Sequence, residues 1–439
     1  MDRFAYRDGQ LVVEDVPLDA IARAVGTPAY VYSLGTVRDH VDRLQAAFAD
    51  LDPLVCYAMK ANGNLALLAD LAARGLGFDI VSGGELDRLR RLGVPGERIV
   101  FSGVGKTRAE MDAALAYGVR LFNVESEEEL EALARVAAET GRRADVALRV
   151  NPDVDPQTHA YIATGLKESK FGLPIARGAE LARRVLDRPS LRLVGLQCHI
   201  GSQITDVTPY GEAVGRVAEL ARTLQPDAPD LASLDMGGGF GIFYKDLRAP
   251  SFEEYARVVR PHVKHLGLKL LMEPGRVLVG NAGALVTRVL YRKQAGSKRF
   301  VIVDAGMNDL IRPSLYGGWH RIWPVAGHGA PPVGEAEGLP RVDVVGPVCE
   351  SGDFLAKDRP LPDVAAGDLL AVFGVGAYGF TMSSTYNARP RPPEVLVAGD
   401  RFAVARRRET YDDLVAAETA TPTFVHVAAS AVDAEEARP

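Results

Sequence analysis

Several ionisable side chains stand at the ends of short apolar runs, where catalytic groups are common. Lys60 ends the run 53–60 (PLVCYAMK), Asp79 lies in 78–82 (FDIVS), and Glu273 lies in 269–275 (KLLMEPG). Burial disfavours the charged form of a lysine and lowers its pKa, and a neutral amine is what forms a Schiff base with a carbonyl compound. Taken alone, Lys60 is more simply a solvated surface charge, so its neighbours must decide between the two interpretations.

Two further features suit a flat, anionic cofactor. The run MGGGFG (236–241) holds three consecutive glycines, whose backbone N–H groups can approach an anion closely. His199 could stack on an aromatic ring, and Glu273 near a pyridine nitrogen would keep that nitrogen protonated, which makes the ring a stronger electron sink. Each feature also has a simpler interpretation: a flexible turn, a hydrogen-bonded core histidine, and a salt bridge from Glu273 to Arg276.

The elements that carry these residues alternate between short apolar runs and longer amphipathic stretches. The stretch 64–75 has apolar residues at helical spacing and Gly75 at its end, and 126–141 begins with Ser126 as a candidate cap before three glutamates. The alternation predicts an α/β fold, a parallel sheet closed into a (β/α)8 TIM barrel, with an open doubly wound sheet as the alternative. In a barrel, active-site groups gather at the carboxyl ends of the strands. The eight candidate strands lie at 53–60, 78–82, 98–103, 120–126, 145–151, 193–200, 232–239 and 269–275.

After about residue 277 the pattern changes to strand-like runs separated by Gly, Pro and Asp. This pattern predicts a C-terminal all-β domain, a β-barrel or a sandwich. The first residues indicate a hairpin around Asp8-Gly9, which we expect to join that domain. We therefore predict a cofactor-binding barrel at 30–276, a β domain made of 1–29 and 277–426, and a flexible tail at 427–439.

Composition excludes several classes of function. The 439 residues are 47% hydrophobic and 25% charged, with a net charge of −6, and no long basic run offers a site for nucleic acid or an anionic membrane. Cys56, Cys198 and Cys349 are far apart, so we expect neither disulfides nor a metal site. Because the first residues lack a secretory pattern and no run of 18 apolar residues exists, we expect a cytoplasmic protein without a membrane span.

Eight motifs follow one another along nearly the whole chain. They are YAMKAN (57–62), FDIVSGGEL (78–86), SKFG (169–172), HIGSQI (199–204), GGGFGI (237–242), EPGR (273–276), CESGD (349–353) and GVGAYGF (374–380). This ordered set resembles the pyridoxal 5′-phosphate (PLP)-dependent fold-type III decarboxylases, which share an alanine racemase-like barrel. The segments 307–320 (MNDLIRPSLYGGWH) and 349–362 (CESGDFLAKDRPLP) are most similar to the diaminopimelate decarboxylase branch. The resemblance implies decarboxylation of meso-2,6-diaminopimelate to L-lysine and CO2.

The resemblance also implies a cofactor site. Lys60 would carry PLP, His199 would stack against its ring, and Glu273 would pair with the pyridinium nitrogen. The other implied contacts surround the ring and the phosphate. They are Asp79, Ser202, Gly238, Gly239, Gly275, Arg276 and Tyr378.

For the substrate, the resemblance implies a site shared between two subunits. Cys349 would protonate the carbanion, although a free cysteine is more often a small buried hydrophobe. In this family Cys349 and its neighbours reach the site from the second subunit, which implies a homodimer. Diaminopimelate is zwitterionic at both ends, so the pair Arg312 and Glu350 favours it over substrates with a lone distal ammonium. The implied substrate contacts are Arg276, Arg312, Tyr316, Glu350 and Tyr378.

Three alternatives stay open. The same fold could decarboxylate ornithine, arginine, a carboxylated polyamine or an antibiotic precursor. An amino-acid racemase would need an acid or base on each face of the ring. A catalytically silent regulatory homologue would bind a partner protein, although the retention of Lys60, Glu273, the glycine run and Cys349 argues against it.

Overall fold

The computed structural model describes residues 3–155, 170–245, 249–332 and 336–424. The predicted tail at 427–439 and Ser169 of the SKFG motif therefore lie outside the described residues. Across the described ranges, no helix combines the length and the apolar character needed to cross a lipid bilayer.

A small antiparallel sheet begins the chain and packs on its C-terminal part. The first elements are β1 (Phe4–Arg7), β2 (Gln10–Val13), β3 (Val16–Pro17), α1 (Leu18–Val25), β4 (Ala29–Ser33) and α2 (Leu34–Ala47). The predicted hairpin is confirmed, because β1 pairs with β2 across a turn in which Asp8 and Gly9 both have positive φ. The Leu11 N–H donates to the Val325 carbonyl oxygen (2.7 Å), which joins this sheet to the C-terminal strands.

Eight parallel strands form the centre of the molecule. The elements of this region are β5 (Leu54–Ala58), α3 (Leu65–Ala73), β6 (Gly77–Ile80), α4 (Gly83–Arg91), β7 (Ile99–Phe101), α5 (Arg108–Tyr117), β8 (Leu121–Val124), α6 (Glu127–Glu139), β9 (Ala144–Asn151), β10 (Leu173–Pro174), α7 (Gly178–Leu186), β11 (Leu191–Gln197), α8 (Thr208–Leu224), β12 (Ser233–Asp235), α9 (Phe252–Val263), β13 (Lys269–Met272) and α10 (Arg276–Val279). The eight barrel strands are β5–β9 and β11–β13, and the two-residue β10 pairs with β9 alone. Each barrel strand bonds to the next, and the pairing of β13 with β5 closes the ring. The predicted (β/α)8 barrel is confirmed, and the open doubly wound alternative is wrong.

Apolar strands and capped helices explain why the barrel forms. Most apolar strand residues are buried in one large cluster with the surrounding helices, which removes apolar surface from water. A smaller, separate cluster consists of Cys56, Val100, Leu121, Ala147 and Leu271. The predicted cap is present, since the Ser126 side chain accepts a hydrogen bond from the Glu129 N–H at the start of α6. Gly75, just after α3, has a φ of +84° and lets the chain turn back toward β6.

A second sheet follows the barrel and includes one strand from the N-terminal region. Its elements are β14 (Gly283–Ala295), β15 (Lys298–Val303), α11 (Arg312–Tyr316), β16 (Ile322–Pro324), β17 (Arg341–Val345), β18 (Phe354–Pro360), β19 (Leu369–Phe373), β20 (Glu394–Ala398), β21 (Arg401–Arg406) and the short helix α12 (Tyr411–Val415). The strand order is β18-β17-β15-β14-β4-β20-β21, and β19 pairs with β14 and β16. The predicted all-β fold of this part is confirmed. The predicted boundary at residue 30 falls inside β4, which pairs with β14 and β20 of this second sheet. We call this sheet, with its loops, the β domain.

Candidate active site

Lys60 and Asp79 form an ion pair at the carboxyl ends of the barrel strands. After β5, a short 3-10 turn at Met59–Ala61 carries Lys60, and the Nζ atom donates a 2.7 Å hydrogen bond to Oδ2 of the fully buried Asp79. The lysine side chain is still 39% exposed, so a ligand can reach the amine. Burial by itself lowers the pKa of Lys60, but the charges of Asp79 and Glu273 outweigh it and the pKa is raised. The expectation of a lowered pKa is wrong, because it left out these carboxylates.

Glu273, directly after β13, is a buried carboxylate surrounded by donors. Its Oε1 atom accepts hydrogen bonds from Ser102 Oγ (3.3 Å) and Asn123 Nδ2 (3.0 Å). Its Oε2 atom accepts from Gln197 Nε2 (3.1 Å). Burial and then the charge of Asp235 raise the pKa of Glu273 well above its usual range, and burial raises the pKa of Asp235 to about 6. A cation placed beside Glu273 would favour its ionised form.

The glycine run forms a closely packed backbone wall beside His199. Gly237 and Gly239 have φ values of +68° and +103°, and a Cβ atom on Gly238 would stand 2.2 Å from the Glu273 carbonyl oxygen. Side chains are therefore excluded here, and the run is a fixed wall instead of a flexible turn. The Gly238 N–H donates to Nδ1 of His199 (3.2 Å). Burial, and then nearby positive charge, lowers the pKa of His199, so its ring is neutral and suited to stacking.

Arg276 brings together the side chains predicted to surround a phosphate. It donates from Nη2 to Ser202 Oγ (3.2 Å) and from Nη1 to the Tyr244 hydroxyl (2.6 Å). Its guanidinium lies 4.8 Å from the centre of the Tyr378 ring. Tyr378 has a φ of +57°, and its N–H donates to the carbonyl oxygen of Ala61 (2.8 Å), the residue after Lys60. The Arg276 guanidinium therefore lies beside a residue, Tyr378, that is hydrogen-bonded to the turn that carries Lys60.

Arg312 adds a second buried guanidinium at the same place. Its Nε atom donates to Nε2 of His320 (3.4 Å), and its guanidinium faces the rings of Tyr244 (5.5 Å) and Tyr316 (5.7 Å). Burial lowers the pKa of Arg312 and lowers that of His320 to about 3, so the histidine stays neutral and accepts this hydrogen bond. Arg276 and Arg312 therefore share Tyr244 as a common neighbour. Two guanidinium groups at one place suit the binding of a carboxylate.

Cys349 and Glu350 lie on the surface, in the loop between β17 and β18. The Cys349 side chain is exposed, and its backbone N–H donates to Asn387 Oδ1 (2.9 Å). Glu350 is hydrogen-bonded to Tyr386 and raises the pKa of that phenol. Among the described residues, no hydrogen bond or ion pair joins either side chain to Lys60, Asp79 or Glu273. The structure brings the barrel residues of the predicted site together and leaves these two apart from them within one chain.

Sequence reasoning missed the polar residues that lie inside the barrel strands. Asn123 and Gln197 hold Glu273, and Arg149 on β9 donates to Glu125 Oε2 (2.9 Å). The sequence did indicate these residues, because Asn123, Arg149 and Gln197 are polar side chains within apolar strands. A buried polar group needs a hydrogen-bond partner, so such residues are expected to bond one another or a ligand. Tyr244 lies outside any helix or strand and gave no comparable signal.

The buried polar atoms of this site fit PLP. Within the described ranges, Asp79 Oδ1 and Gln197 Oε1 are buried without a hydrogen-bond partner, so the site has polar capacity that the protein does not use itself. A Cβ atom on Gly275 would lie 3.1 Å from the Cβ atoms of Ala58 and Ala61, so a larger residue would crowd the turn that carries Lys60. Each part of the cofactor has a matching group in the site. The amine suits the aldehyde, the neutral histidine ring suits the aromatic ring, and the buried carboxylate suits the ring nitrogen. The glycine wall and the arginine suit the phosphate.

Comparisons with known proteins agree with this geometry. The family described as pyridoxal-dependent decarboxylase, pyridoxal binding domain, matches residues 34–280. The diaminopimelate decarboxylase of Pseudomonas aeruginosa is 50% identical over 426 residues, which cover 96% of this chain and 100% of the relative. That of Neisseria meningitidis serogroup A is 48% identical and covers 93% of this chain and 99% of the relative.

A solved structure shows the same similarity in three dimensions. The crystal structure of diaminopimelate decarboxylase from Helicobacter pylori, complexed with L-lysine, is 40% identical with a TM-score of 0.86, and the match covers 91% of this chain and 98% of that one. Sequence, fold and site thus agree over nearly the full length. The chain belongs to the pyridoxal-dependent decarboxylases and, within them, to the diaminopimelate decarboxylases.

Proposed function

We propose that this chain decarboxylates meso-2,6-diaminopimelate to L-lysine and CO2, with PLP held on Lys60. The observation that carries the proposal is the buried set of Lys60, Asp79 and Glu273 at the carboxyl-end face of a closed barrel. Membership of the diaminopimelate decarboxylases supports the reaction, and the Helicobacter pylori relative is complexed with L-lysine, the expected product. When bound, PLP supplies an aldehyde for covalent attachment and a ring that accepts the electrons of the breaking carbon–carbon bond.

Asp79 has a specific task in this scheme. The raised pKa of Lys60 means that its amine carries a proton in the chain alone, and a protonated amine cannot attack an aldehyde. Oδ2 of Asp79, 2.7 Å from Nζ, is the nearest acceptor for that proton. Oδ1 of the same carboxylate is buried without a partner among the described residues and could accept one further hydrogen bond. Asp79 thus orients the amine and can hold its proton during attachment.

Glu273 supplies the negative charge that a pyridine nitrogen needs to stay protonated. Its raised pKa shows that the positive charge of Lys60 does not compensate for burial and the neighbouring carboxylates. A protonated ring nitrogen would do so, and the two groups would then stabilise each other in a site with little water. Ser102, Asn123 and Gln197 hold the carboxylate in place through both oxygens. His199 would support the face of the ring, and Ser202, Gly238, Gly239 and Gly275 would line its phosphate end.

Arg276 and Arg312 would orient the substrate through its carboxylates, with Tyr316 and Tyr378 beside them. Both guanidinium groups are buried and face Tyr244, and the lowered pKa of Arg312 indicates a cation without a full anionic partner. A substrate carboxylate would provide that partner and could bind both N–H groups of one guanidinium. Release of CO2 requires the breaking bond to stand perpendicular to the ring, so a fixed carboxylate also sets the geometry of the reaction.

We further propose that the site is completed by a second copy of the chain in a cytoplasmic homodimer. Cys349, as the proton donor, and Glu350, as the partner of a substrate ammonium, are exposed on the surface of their own chain. A second subunit could place both residues at the barrel of the first. The exposed thiol is accessible to a substrate, which a buried structural cysteine would not be.

The direct test is incubation of the purified enzyme, loaded with PLP, with meso-, LL- and DD-diaminopimelate in separate reactions. We expect CO2 and L-lysine in equal amounts from the meso isomer alone. Ornithine, arginine and a carboxylated polyamine serve as controls for the alternative substrates. Faster CO2 release from any of these than from the meso isomer would contradict the proposal, and racemised substrate without CO2 would indicate a racemase.

A further inference from the structure

A buried carboxylate of the β domain holds the turn that carries Lys60. We call residues 59–64 the lysine-bearing turn. Glu394, the first residue of β20, is fully buried, and its Oε2 atom accepts hydrogen bonds from Asn64 Nδ2 (3.0 Å) and Arg406 Nε (2.7 Å). Its Oε1 atom accepts from the Tyr32 hydroxyl (3.0 Å). Three donors from three parts of the chain therefore converge on one carboxylate, and one of them is the last residue of the lysine-bearing turn.

Asn64 connects the hydrogen bonds of Glu394 to the rest of the lysine-bearing turn. Its N–H donates to Oδ1 of Asn62 (3.1 Å), and Nδ2 of Asn62 donates to the carbonyl oxygen of Gly376 in the β domain (3.1 Å). The Tyr57 hydroxyl, from the barrel, donates to the Asn62 carbonyl oxygen (3.0 Å). The turn is thus bonded to the barrel on one side and to the β domain on the other. Both asparagines are buried, so water does not replace these bonds.

We propose that Glu394 is a positioning residue for the proposed chemistry: through Asn64 it fixes the lysine-bearing turn, and thereby the place of the Lys60 amine against Asp79. This inference rests on the proposed attachment of PLP to Lys60. The carboxylate accepts from all three donors through its two oxygens, whereas an amide keeps one acceptor oxygen and has an NH2 group in place of the other. An amide in its place would turn an NH2 group toward a donor.

The same atoms explain why a distant sheet would influence the reaction. The Lys60 amine is held 2.7 Å from Oδ2 of Asp79, and a shift of the backbone that carries Lys60 would change this geometry. A displacement of about 1 Å at a reacting group can lower a rate by roughly 10²-fold. Glu394 would therefore contribute to catalysis without touching the reacting atoms.

Two variants separate positioning from stability in the PLP-loaded enzyme. Glu394→Gln keeps the size of the side chain but loses the charge. Asn64→Asp keeps the oxygen that caps α3 through the Ala66 N–H (3.0 Å) but replaces the NH2 group that donates to Glu394 with a second oxygen. The matched control is Glu409→Gln, because Glu409 also lies in the β domain and accepts from an arginine, Arg391 (2.7 Å), without a bond to the lysine-bearing turn.

The readouts are kcat, KM, and the pH titration of the visible absorbance of lysine-bound PLP. We expect both test variants to lower kcat by about 10-fold to 10²-fold, with KM changed by no more than about 2-fold, and to shift the titration midpoint. Glu409→Gln should match the wild type in all three. Wild-type titrations for both test variants would overturn the inference, and so would an equal shift in the control. If Glu394→Gln does not fold, Asn64→Asp carries the same test.

A parallel measurement keeps this inference apart from the proposed function. Lys60→Ala should contain no covalently bound PLP. If PLP is covalently bound in that variant, the proposed attachment fails, and the positioning role fails with it. If Lys60→Ala loses the covalent PLP while Glu394→Gln and Asn64→Asp titrate like the wild type, only the positioning role is overturned.

Discussion

The barrel and the β-domain loop contribute to the proposed site in opposite ways. In the barrel, Lys60, Asp79 and Glu273 are bonded to partners within the chain, and both carboxylates are buried. In the loop, Cys349 and Glu350 are exposed. A buried charge is costly unless a partner compensates it, so the fold itself must arrange the barrel groups, whereas a surface loop has no such constraint. One chain can therefore hold the residues of the proposed cofactor site while Cys349, the proposed proton donor, lies exposed on its surface.

The largest effect should come from Lys60→Ala. Without the amine, PLP has no covalent attachment, and we expect turnover below about one-thousandth of wild type. The measurement is the initial rate of CO2 release together with the visible spectrum. Near-normal turnover, or an unchanged spectrum, would place the attachment at another lysine.

Glu273→Gln should have the next largest effect. The buried oxygens Asn123 Oδ1 and Gln197 Oε1 have no partner among the described residues, so rotation of these two amides can accommodate the new side chain. The fold should therefore persist, while a ring nitrogen would lose its anionic partner and kcat should fall by about 10³-fold. Single-turnover kinetics measures the effect, with the thermal unfolding midpoint as the control. A kcat within a few-fold of wild type would remove Glu273 from this role.

Cys349→Ala tests the proposed role of the exposed loop between β17 and β18. Loss of a general acid should lower turnover by about 10²-fold while PLP stays bound. Mixing this variant with Lys60→Ala should restore activity, because half of the dimers would then carry one intact site, giving about one quarter of the wild-type rate. The test needs verified mixed dimers. Mixed dimers without recovered activity would show that the sites are not shared.

The smallest effect concerns Asp309, a buried carboxylate of the β domain. Burial raises its pKa to about 7 from an ordinary 3.8, so its contribution to stability is complete below pH 4 and is lost as the pH rises through 7. Asp309→Asn should therefore gain about 3 kcal/mol in unfolding free energy relative to wild type between pH 5 and 8. The orphaned Oδ1 of Asn308 can accept from the new amide once its own amide rotates. Denaturant titrations at both pH values measure this, and a constant difference between the two proteins would contradict it.

Much of the site could be predicted because the pattern of the chain fixes it. Lys60, Asp79, His199 and Glu273 stand at strand ends, and once a closed parallel barrel is inferred, strand ends must meet at one face. The glycine run was predictable for a similar reason, since only glycine allows the close backbone approach observed at Gly238.

The remaining features depend on contacts between distant parts of the chain. The raised pKa of Lys60 comes from carboxylates on other strands, so its direction could not be inferred from burial alone. β4 inserts between β14 and β20, a pairing that no local pattern specifies. Tyr244 reaches the two arginines from an irregular segment, whose path depends on the β domain that it contacts.

The most direct test of the central claim is borohydride reduction of the active, PLP-loaded enzyme, followed by mass mapping of its peptides. Reduction makes the bond between a lysine and the cofactor permanent, so the modified residue can be identified. The account predicts a single modified peptide, with the added mass on Lys60. An unmodified Lys60 in a sample that was fully active and loaded before reduction would contradict the account.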